Sequence, residues 1–293
     1  MQYLPWILAW GALANISSLH PAAAELALVS PKSEVLFCEP LFVNLTGTLE
    51  AQHKPEFELF VNGQTLMEKS PEVLGQQLVQ VIGENDGETI KVVASWVFLY
   101  DLYSNKFLFD KAGKYTVQLR EVTNNVFSNE LVINVKATNE YDAMAVGLFG
   151  GPAQMLAIYT DEPSEGGLKA LEKLVETYPD SMYSDYARFI LFKRRFEVLI
   201  KIPVNSKNEQ IEKLKKFGLL AEQFSRTENI PSPSAWHGQS LLYLAHCRAL
   251  SGNLNQSRND LKAITRLYSQ GPFSAKATKM LQELENDQQQ EAD

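Results

Sequence analysis

Side chains that often catalyse reactions or bind metals are sparse in this sequence. It contains four histidines and two cysteines: His20, His53, His237, His246, Cys38 and Cys247. His237 and His246 are nine residues apart, about two and a half helical turns, which places them on opposite faces of a helix. We therefore do not expect them to bind one metal ion together, and we interpret each as a structural or surface histidine.

The short motifs of common active sites do not occur in the chain. It has no His-Glu-x-x-His zinc motif, no Walker loop and no Gly-x-Ser-x-Gly elbow. Cys247 could in principle act as a nucleophile. It shares a predicted buried helix face with Leu244, so we interpret it as a packed thiol, and Cys38 likewise. The sequence thus predicts no catalytic residue, no metal and no cofactor.

The densest positive cluster is Lys193-Arg194-Arg195, and Tyr183 and Tyr186 stand shortly before it. Tyrosine and arginine are frequent anchors of protein interfaces. We therefore predict that these five residues contact a partner. The alternative is an ordinary solvated helix face, in which long basic side chains cover apolar surface and keep their charge in water.

Charge narrows the class of partner. The chain has 293 residues, enough for two domains, and a formal net charge of −8. Nucleic-acid binding needs a basic surface, so we do not expect a nucleic-acid partner. The acidic, glutamine-rich residues 286–293 are predicted to form a disordered tail.

The first 24 residues are typical of a secretory signal peptide. They contain no Asp, Glu, Lys or Arg, and small residues at Ala22-Ala23-Ala24 precede Glu25. The positive charge usual at the start of a signal is missing, and an uncleaved N-terminal anchor is the alternative. We predict a bacterial protein that is exported to the periplasm or secreted, with no integral membrane domain after signal removal.

Residues 25–137 show the period of β-strands. Leu41, Val43 and Leu45 alternate with Phe42 and more polar residues, which predicts strands with one buried face. Asn62-Gly63 between two apolar runs predicts a two-residue hairpin turn with positive φ. Trp96 is a candidate core residue.

The stretch Asp110-Lys111-Ala112-Gly113-Lys114-Tyr115 resembles the tyrosine corner of immunoglobulin-like β-sandwiches. That resemblance implies a hydrogen bond from the Tyr115 hydroxyl to upstream backbone, with residues 131–135 as the last strand. The paired cysteines of antibody domains are absent, so the resemblance is to the broad bacterial immunoglobulin-like class. We predict an all-β sandwich of this kind over residues 25–137.

Residues 138–164 are predicted to be a linker with short helices, and residues 165–285 to be helical hairpins. The hairpins contain an internal match at an offset of ninety residues. The first copy is Leu171, Leu174, Tyr178, Tyr183, Ala187 and Leu191, and the second is Leu261, Ile264, Tyr268, Phe273, Ala277 and Leu281. A third hairpin is predicted between the two copies.

The run from Tyr178-Pro179 to Ala187 is similar to the helix-turn-helix junction of tetratricopeptide repeats in bacterial envelope proteins. The resemblance implies a scaffold whose stacked hairpins bind a protein or peptide. We therefore predict a multidomain chain that binds a partner of the cell envelope and is not an enzyme. One alternative is an enzyme or accessory acting on envelope polymer, with a site around Tyr141 to Thr160. The other is a carbohydrate-binding sandwich that displays Tyr100 and Tyr103.

Overall fold

The computed structural model describes residues 25–50, 55–65, 75–79, 89–101, 106–159, 164–227, 229–230, 235–268 and 272–292. Within these residues, strands occupy Glu25 to Lys136 and helices occupy Glu140 to Ala292. The predicted division into a strand half followed by a helical half is confirmed. The predicted signal peptide, residues 1–24, lies outside the described residues.

The described strands are numbered in chain order. They are β1 Glu25–Val29, β2 Glu34–Leu36, β3 Leu41–Glu50, β4 Phe57–Val61, β5 Gln64–Thr65, β6 Gly75–Val79, β7 Thr89–Phe98, β8 Tyr100–Asp101, β9 Lys106–Phe107, β10 Gly113–Glu121, β11 Val126–Phe127 and β12 Leu131–Lys136. One sheet has the order β1-β3-β7-β6, and a second has the order β2-β12-β10-β4-β5 with β11 beside β10. The strand β2 runs parallel to β12, and the other strand pairs are antiparallel.

The two sheets pack against each other around an apolar core. Phe57 of β4 and Trp96 of β7 meet edge to face across it, with ring centroids 5.4 Å apart. Trp96 is buried, as predicted. The predicted hairpin turn is also confirmed, because Asn62 and Gly63 both have positive φ between β4 and β5. The Tyr115 hydroxyl donates to the Lys111 carbonyl at 3.0 Å, which confirms the predicted hydrogen bond.

The prediction that β3 has one buried face is wrong at Phe42. Leu41 and Val43 point into the core between the sheets, as the alternation requires. Phe42 points the other way and is only 5% exposed, because helices cover that second face. The strand β7 is buried on both faces in the same way, with Trp96 on one side and Val97 on the other.

The described part of the chain contains eight helices. They are α1 Glu140–Phe149, α2 Pro152–Tyr159, α3 Glu165–Thr177, α4 Met182–Lys201, α5 Lys207–Thr227, α6 Ala235–Leu250, α7 Leu254–Leu267 and α8 Pro272–Ala292. The side chain of Asn139 caps the start of α1, and Gly150 is the C-cap after its last residue, Phe149. The segment predicted as a linker thus contains α1 and α2, and Phe149 and Met155 are fully buried in the helical core.

The helices α3 to α8 form three consecutive hairpins. The residues that match at an offset of ninety occupy equivalent places in the first and third of them. Leu171 and Leu261 are both fully buried, and so are Ala187 and Ala277. The tyrosines of the two copies, Tyr178 and Tyr268, each form the C-cap of the first helix of their hairpin, with similar backbone angles.

The structure differs from the sequence prediction at the C-terminal end. Residues 286–292, predicted to be a disordered tail, continue the helix α8. The stretch contains no proline or glycine, so no strong helix breaker ends α8 before Ala292. Among the described residues, no helix combines the length and the apolar character needed to cross a membrane.

Candidate partner-binding grooves

Two of the five predicted partner-binding residues are enclosed within the chain. Tyr183 and Tyr186, near the start of α4, are both fully buried where this helix meets the strand half. The hydroxyl of Tyr183 donates to the carbonyl of Phe37, and that of Tyr186 lies 3.3 Å from a carboxylate oxygen of Glu39. Burial raises the pKa of both tyrosines. In this conformation neither ring is available to a partner.

The carboxylate of Glu39 is itself buried, and three groups satisfy it. Besides Tyr186, it accepts from the ammonium of Lys32 at 2.6 Å and from the backbone N–H of Leu36 at 2.7 Å. A buried charge is tolerated only when it is paired and hydrogen-bonded. Cys38, with φ of 59°, shapes the turn that presents Glu39. These contacts fix α4 on the strands.

The three side chains of the basic cluster point in two different directions. Lys193 and Arg194 are largely buried and pair with Glu197 at 3.5 and 2.7 Å. Arg194 also donates to the carbonyl of Ala157 at 3.2 Å. Arg195 points away from these residues, is 59% exposed and lies 3.7 Å from Glu172 of α3. Of the five predicted residues, Arg195 is the one well placed to touch a partner.

Arg195 borders an open groove between α3 and α5, with α4 as its floor. The groove has a volume of about 450 Å³. Its lining residues are Glu172, Val175, Glu176, Arg188, Leu191, Phe192, Arg195, Leu220, Gln223 and Phe224. Phe192 and Phe224 stack at 4.0 Å between ring centroids and close the bottom. Because Arg195 stands nine residues after Tyr186, the groove lies on the side of α4 opposite the strands.

A second groove lies on the other side of α5, toward α7. Its volume is about 720 Å³. The lining comes mainly from one stripe of α5 and from the turn between α6 and α7: Ile211, Leu214, Lys215, Gly218, Ala221, Glu222, Ser225, Arg248, Ser251, Asn253 and Gln256. Residues three and four apart form one face of a helix, so α5 presents a continuous surface to this groove.

The grooves exist because the two helices of each hairpin pack differently. The second helices contact one another, α4 with α6 and α6 with α8, and α6 and α8 also contact β7. The first helices α3, α5 and α7 stand in front of this layer, with the grooves between them. The three- and four-residue spacing along α5 could have predicted the row of residues that faces the second groove. The groove itself depends on how α5 packs against the neighbouring helices, which this spacing does not record.

The charges along both grooves are largely paired. Arg188 is held by Asp185 at 2.6 Å and by the carbonyl of Pro179 at 2.6 Å. Arg248 pairs with Asp260 of α7. Burial raises the pKa of Asp185 and of Asp260, and the neighbouring arginine opposes the shift in each case. The groove between α3 and α5, with its apolar floor and paired charges at the rim, suits a peptide segment that carries apolar side chains.

The residues of the two alternative hypotheses lie elsewhere. Tyr100 is buried beside Phe107 where the strands meet the helices, so it cannot be part of an exposed aromatic platform for sugars. Tyr103 lies outside the described residues. In the segment predicted for an enzyme site, Asp142 is buried and bonded to Ser181 at 2.6 Å and to Asn139 at 2.7 Å. These contacts connect α1 to the start of α4.

The comparison with known proteins does not assign the chain to a family. No protein-family model matches the chain, and no curated protein matches it significantly.

Proposed function

We propose that this chain is an exported bacterial scaffold that binds a protein or peptide of the cell envelope through its helical hairpins, without catalysing a reaction. The observation that carries this proposal is the pair of grooves on either side of α5. They run along the side of the helical layer that the strands leave open. Stacked helical hairpins with such a surface are a common way to bind extended partners.

We also propose that the helical half is a tetratricopeptide-like array. Three antiparallel hairpins in succession support this assignment, as do the equivalent places of Ala187 and Ala277. Each alanine is fully buried on the second helix of its hairpin. The C-caps at Tyr178 and Tyr268 add that the first helix of each of these two hairpins ends in the same backbone conformation.

For the strand half we propose an immunoglobulin-like sandwich. In that fold one sheet contains strands A, B, E and D, and the other contains C, F and G. The order β1-β3-β7-β6 against β12-β10-β4 corresponds to these two sheets. The hydrogen bond from Tyr115 to Lys111 supports the tyrosine corner. Export rests on the uncharged, apolar residues 1–24, and N-terminal sequencing of the protein recovered from its host tests it.

The groove proposal is tested by site-specific photo-crosslinking in the envelope of the host. A crosslinking amino acid replaces Gln223, which is exposed in the groove between α3 and α5. The matched control replaces Gln282, which is exposed on α8 outside both grooves. We expect a discrete adduct at position 223 that is absent at position 282.

A substitution at the rim links the adduct to the groove. Arg195→Glu places two carboxylates side by side, because Glu172 lies 3.7 Å away, and should weaken the adduct at position 223 at least several-fold. Equal crosslinking at positions 223 and 282, or an adduct that Arg195→Glu leaves unchanged, would contradict binding in this groove.

A further inference from the structure

The turn that joins α4, the second helix of the first hairpin, to α5, the first helix of the next, protrudes from the molecule. The helix α4 ends at Lys201, α5 begins at Lys207, and every residue from Lys201 to Glu212 is exposed. We call residues 198–213 the hairpin end.

The hairpin end is unusually apolar for a solvent-exposed turn, where polar residues and glycine usually dominate. Six of the seven residues from 198 to 204 are apolar, the exception being Lys201. The side chains of Val198, Ile200, Ile202 and Val204 are between 40% and 62% exposed. Scattered exposed aliphatic residues are normal, but a concentration of them marks an interaction surface.

These aliphatic side chains are held on a fixed backbone. The ammonium of Lys213 donates to the carbonyls of Ile200 and Ile202 at 2.9 and 2.7 Å and so caps the end of α4. The side chain of Ser206 accepts from the N–H of Glu209 at 3.2 Å, and the carboxylate of Glu209 accepts from the N–H of Asn205 at 2.8 Å. This arrangement is a variant of the capping box.

The local charge is opposite in sign to that of the whole chain. The hairpin end, residues 198–213, contains three lysines and two glutamates, a net charge of +1 in a chain of −8, and two more lysines follow directly on α5. The lysines are Lys201, Lys207, Lys213, Lys215 and Lys216. The glutamates, Glu209 and Glu212, are bonded to the backbone of Asn205 and to Lys215.

We propose that the hairpin end docks on the surface of an anionic lipid bilayer. Aliphatic side chains would enter the boundary between headgroups and acyl chains, and lysines would contact lipid phosphates. A protein partner is disfavoured by composition, because protein interfaces are rich in aromatic residues and arginine and poor in lysine. The surface is separate from the residues tested for groove binding, so either proposal can fail alone.

The test places an environment-sensitive fluorophore at the hairpin end of the full chain through Val204→Cys. The two native cysteines, Cys38 and Cys247, are buried, and burial raises the pKa of each thiol to about 12, so the introduced thiol reacts selectively. The matched control is Val132→Cys, because Val132 of β12 has the same 40% exposure. The label reports its own surroundings, so lipid binding by another part of the chain gives no signal at position 204.

With vesicles of equal parts phosphatidylcholine and phosphatidylglycerol, we expect a blue shift and enhancement at position 204 and none at position 132. Vesicles of phosphatidylcholine alone should give a much weaker signal. When Lys201→Gln and Lys207→Gln are introduced into the labelled Val204→Cys chain, binding to the anionic vesicles should weaken by roughly 5-fold for each lysine removed.

An unchanged spectrum at position 204 with anionic vesicles would overturn the proposal, as would equal changes at positions 204 and 132. A change at position 204 that requires envelope protein and not lipid would assign the surface to a protein partner instead. Circular dichroism of each labelled chain checks that the fold is retained.

Discussion

The two apolar cores of the molecule differ in the elements that close them. Among the described residues, the core between the sheets is lined only by residues of the strand half, such as Leu45, Trp96 and Val117. In the part of the chain that the structure describes, the other core includes residues of all eight helices and also five buried residues of the strand half: Cys38, Phe42, Val97, Leu99 and Tyr100. The strand core is therefore complete in itself, whereas the helical core is completed by the strands.

This asymmetry follows from the side-chain alternation of β3 and β7. Successive residues of a strand point to opposite faces, so these two strands serve both cores at once. Phe42 meets Trp236 of α6 with ring centroids 5.7 Å apart, while Val43 points between the sheets. The strand half is thus a wall of the helical domain and not a detachable spacer.

Of the substitutions that test this difference between the two cores, Phe42→Ala should lower the stability most. Removing a buried phenylalanine leaves a cavity that typically costs about 3–5 kcal/mol. The loss should appear mainly in the helices, because the ring packs against Tyr186 and Trp236. Hydrogen exchange measured by mass spectrometry should show α4 and α6 losing protection more than β4 and β10.

The neighbouring substitution Val43→Ala is the control. It creates a smaller cavity on the opposite face of the same strand, so protection should fall in the core between the sheets. If Phe42→Ala lowered protection equally in both halves, the two cores would behave as one cooperative unit and the proposed asymmetry would be lost.

Local sequence signals predicted much of the architecture because they depend on few residues. Asn62-Gly63 specifies a turn through its own backbone preference, and the ninety-residue match specifies equivalent places in two hairpins. The second buried face of β3 was not predictable in this way. A phenylalanine opposite a buried face does not reveal which element covers it.

The candidate site was predicted less well than the fold, for a related reason. Aromatic and basic residues close in sequence suggested one surface, but a helix distributes them around its circumference. Tyr186 faces the strands, whereas Arg195 faces the groove on the opposite side of α4. The grooves depend on the distance between α3, α5 and α7, which no short stretch of sequence records.

The alanines of the repeat give the next largest effect and show how tightly the helical core is packed. Ala187 and Ala277 are both fully buried, so Ala187→Leu and Ala277→Leu should each cost about 1–3 kcal/mol through overpacking. Thr278→Leu is the control, because Thr278 is exposed on α8 and the change should stay within about 0.5 kcal/mol. Urea denaturation measures all three free energies of unfolding.

Arg188, next to Ala187, cannot serve as a second control because it bonds Asp185 and the Pro179 carbonyl. Effects at the two alanines as small as that at Thr278 would mean that the helical core is loosely packed. The ninety-residue match would then not indicate equivalent helix packing in the two hairpins.

Tyr115→Phe is the smallest expected effect and concerns the rim of the strand half. The substitution keeps the ring, which packs edge to face on Phe109 with centroids 5.2 Å apart, and removes only the hydroxyl that donates to Lys111. That hydrogen bond is exposed to solvent, so its loss should cost about 0.5 kcal/mol, the low end of the usual range. Repeated urea denaturation resolves a change of this size.

A loss well above about 1.5 kcal/mol would mean that the corner stabilises the strand core directly, and the self-sufficient core would then depend on this loop. No change at all would remove the hydrogen bond from the case for an immunoglobulin-like corner, leaving that assignment on strand order alone.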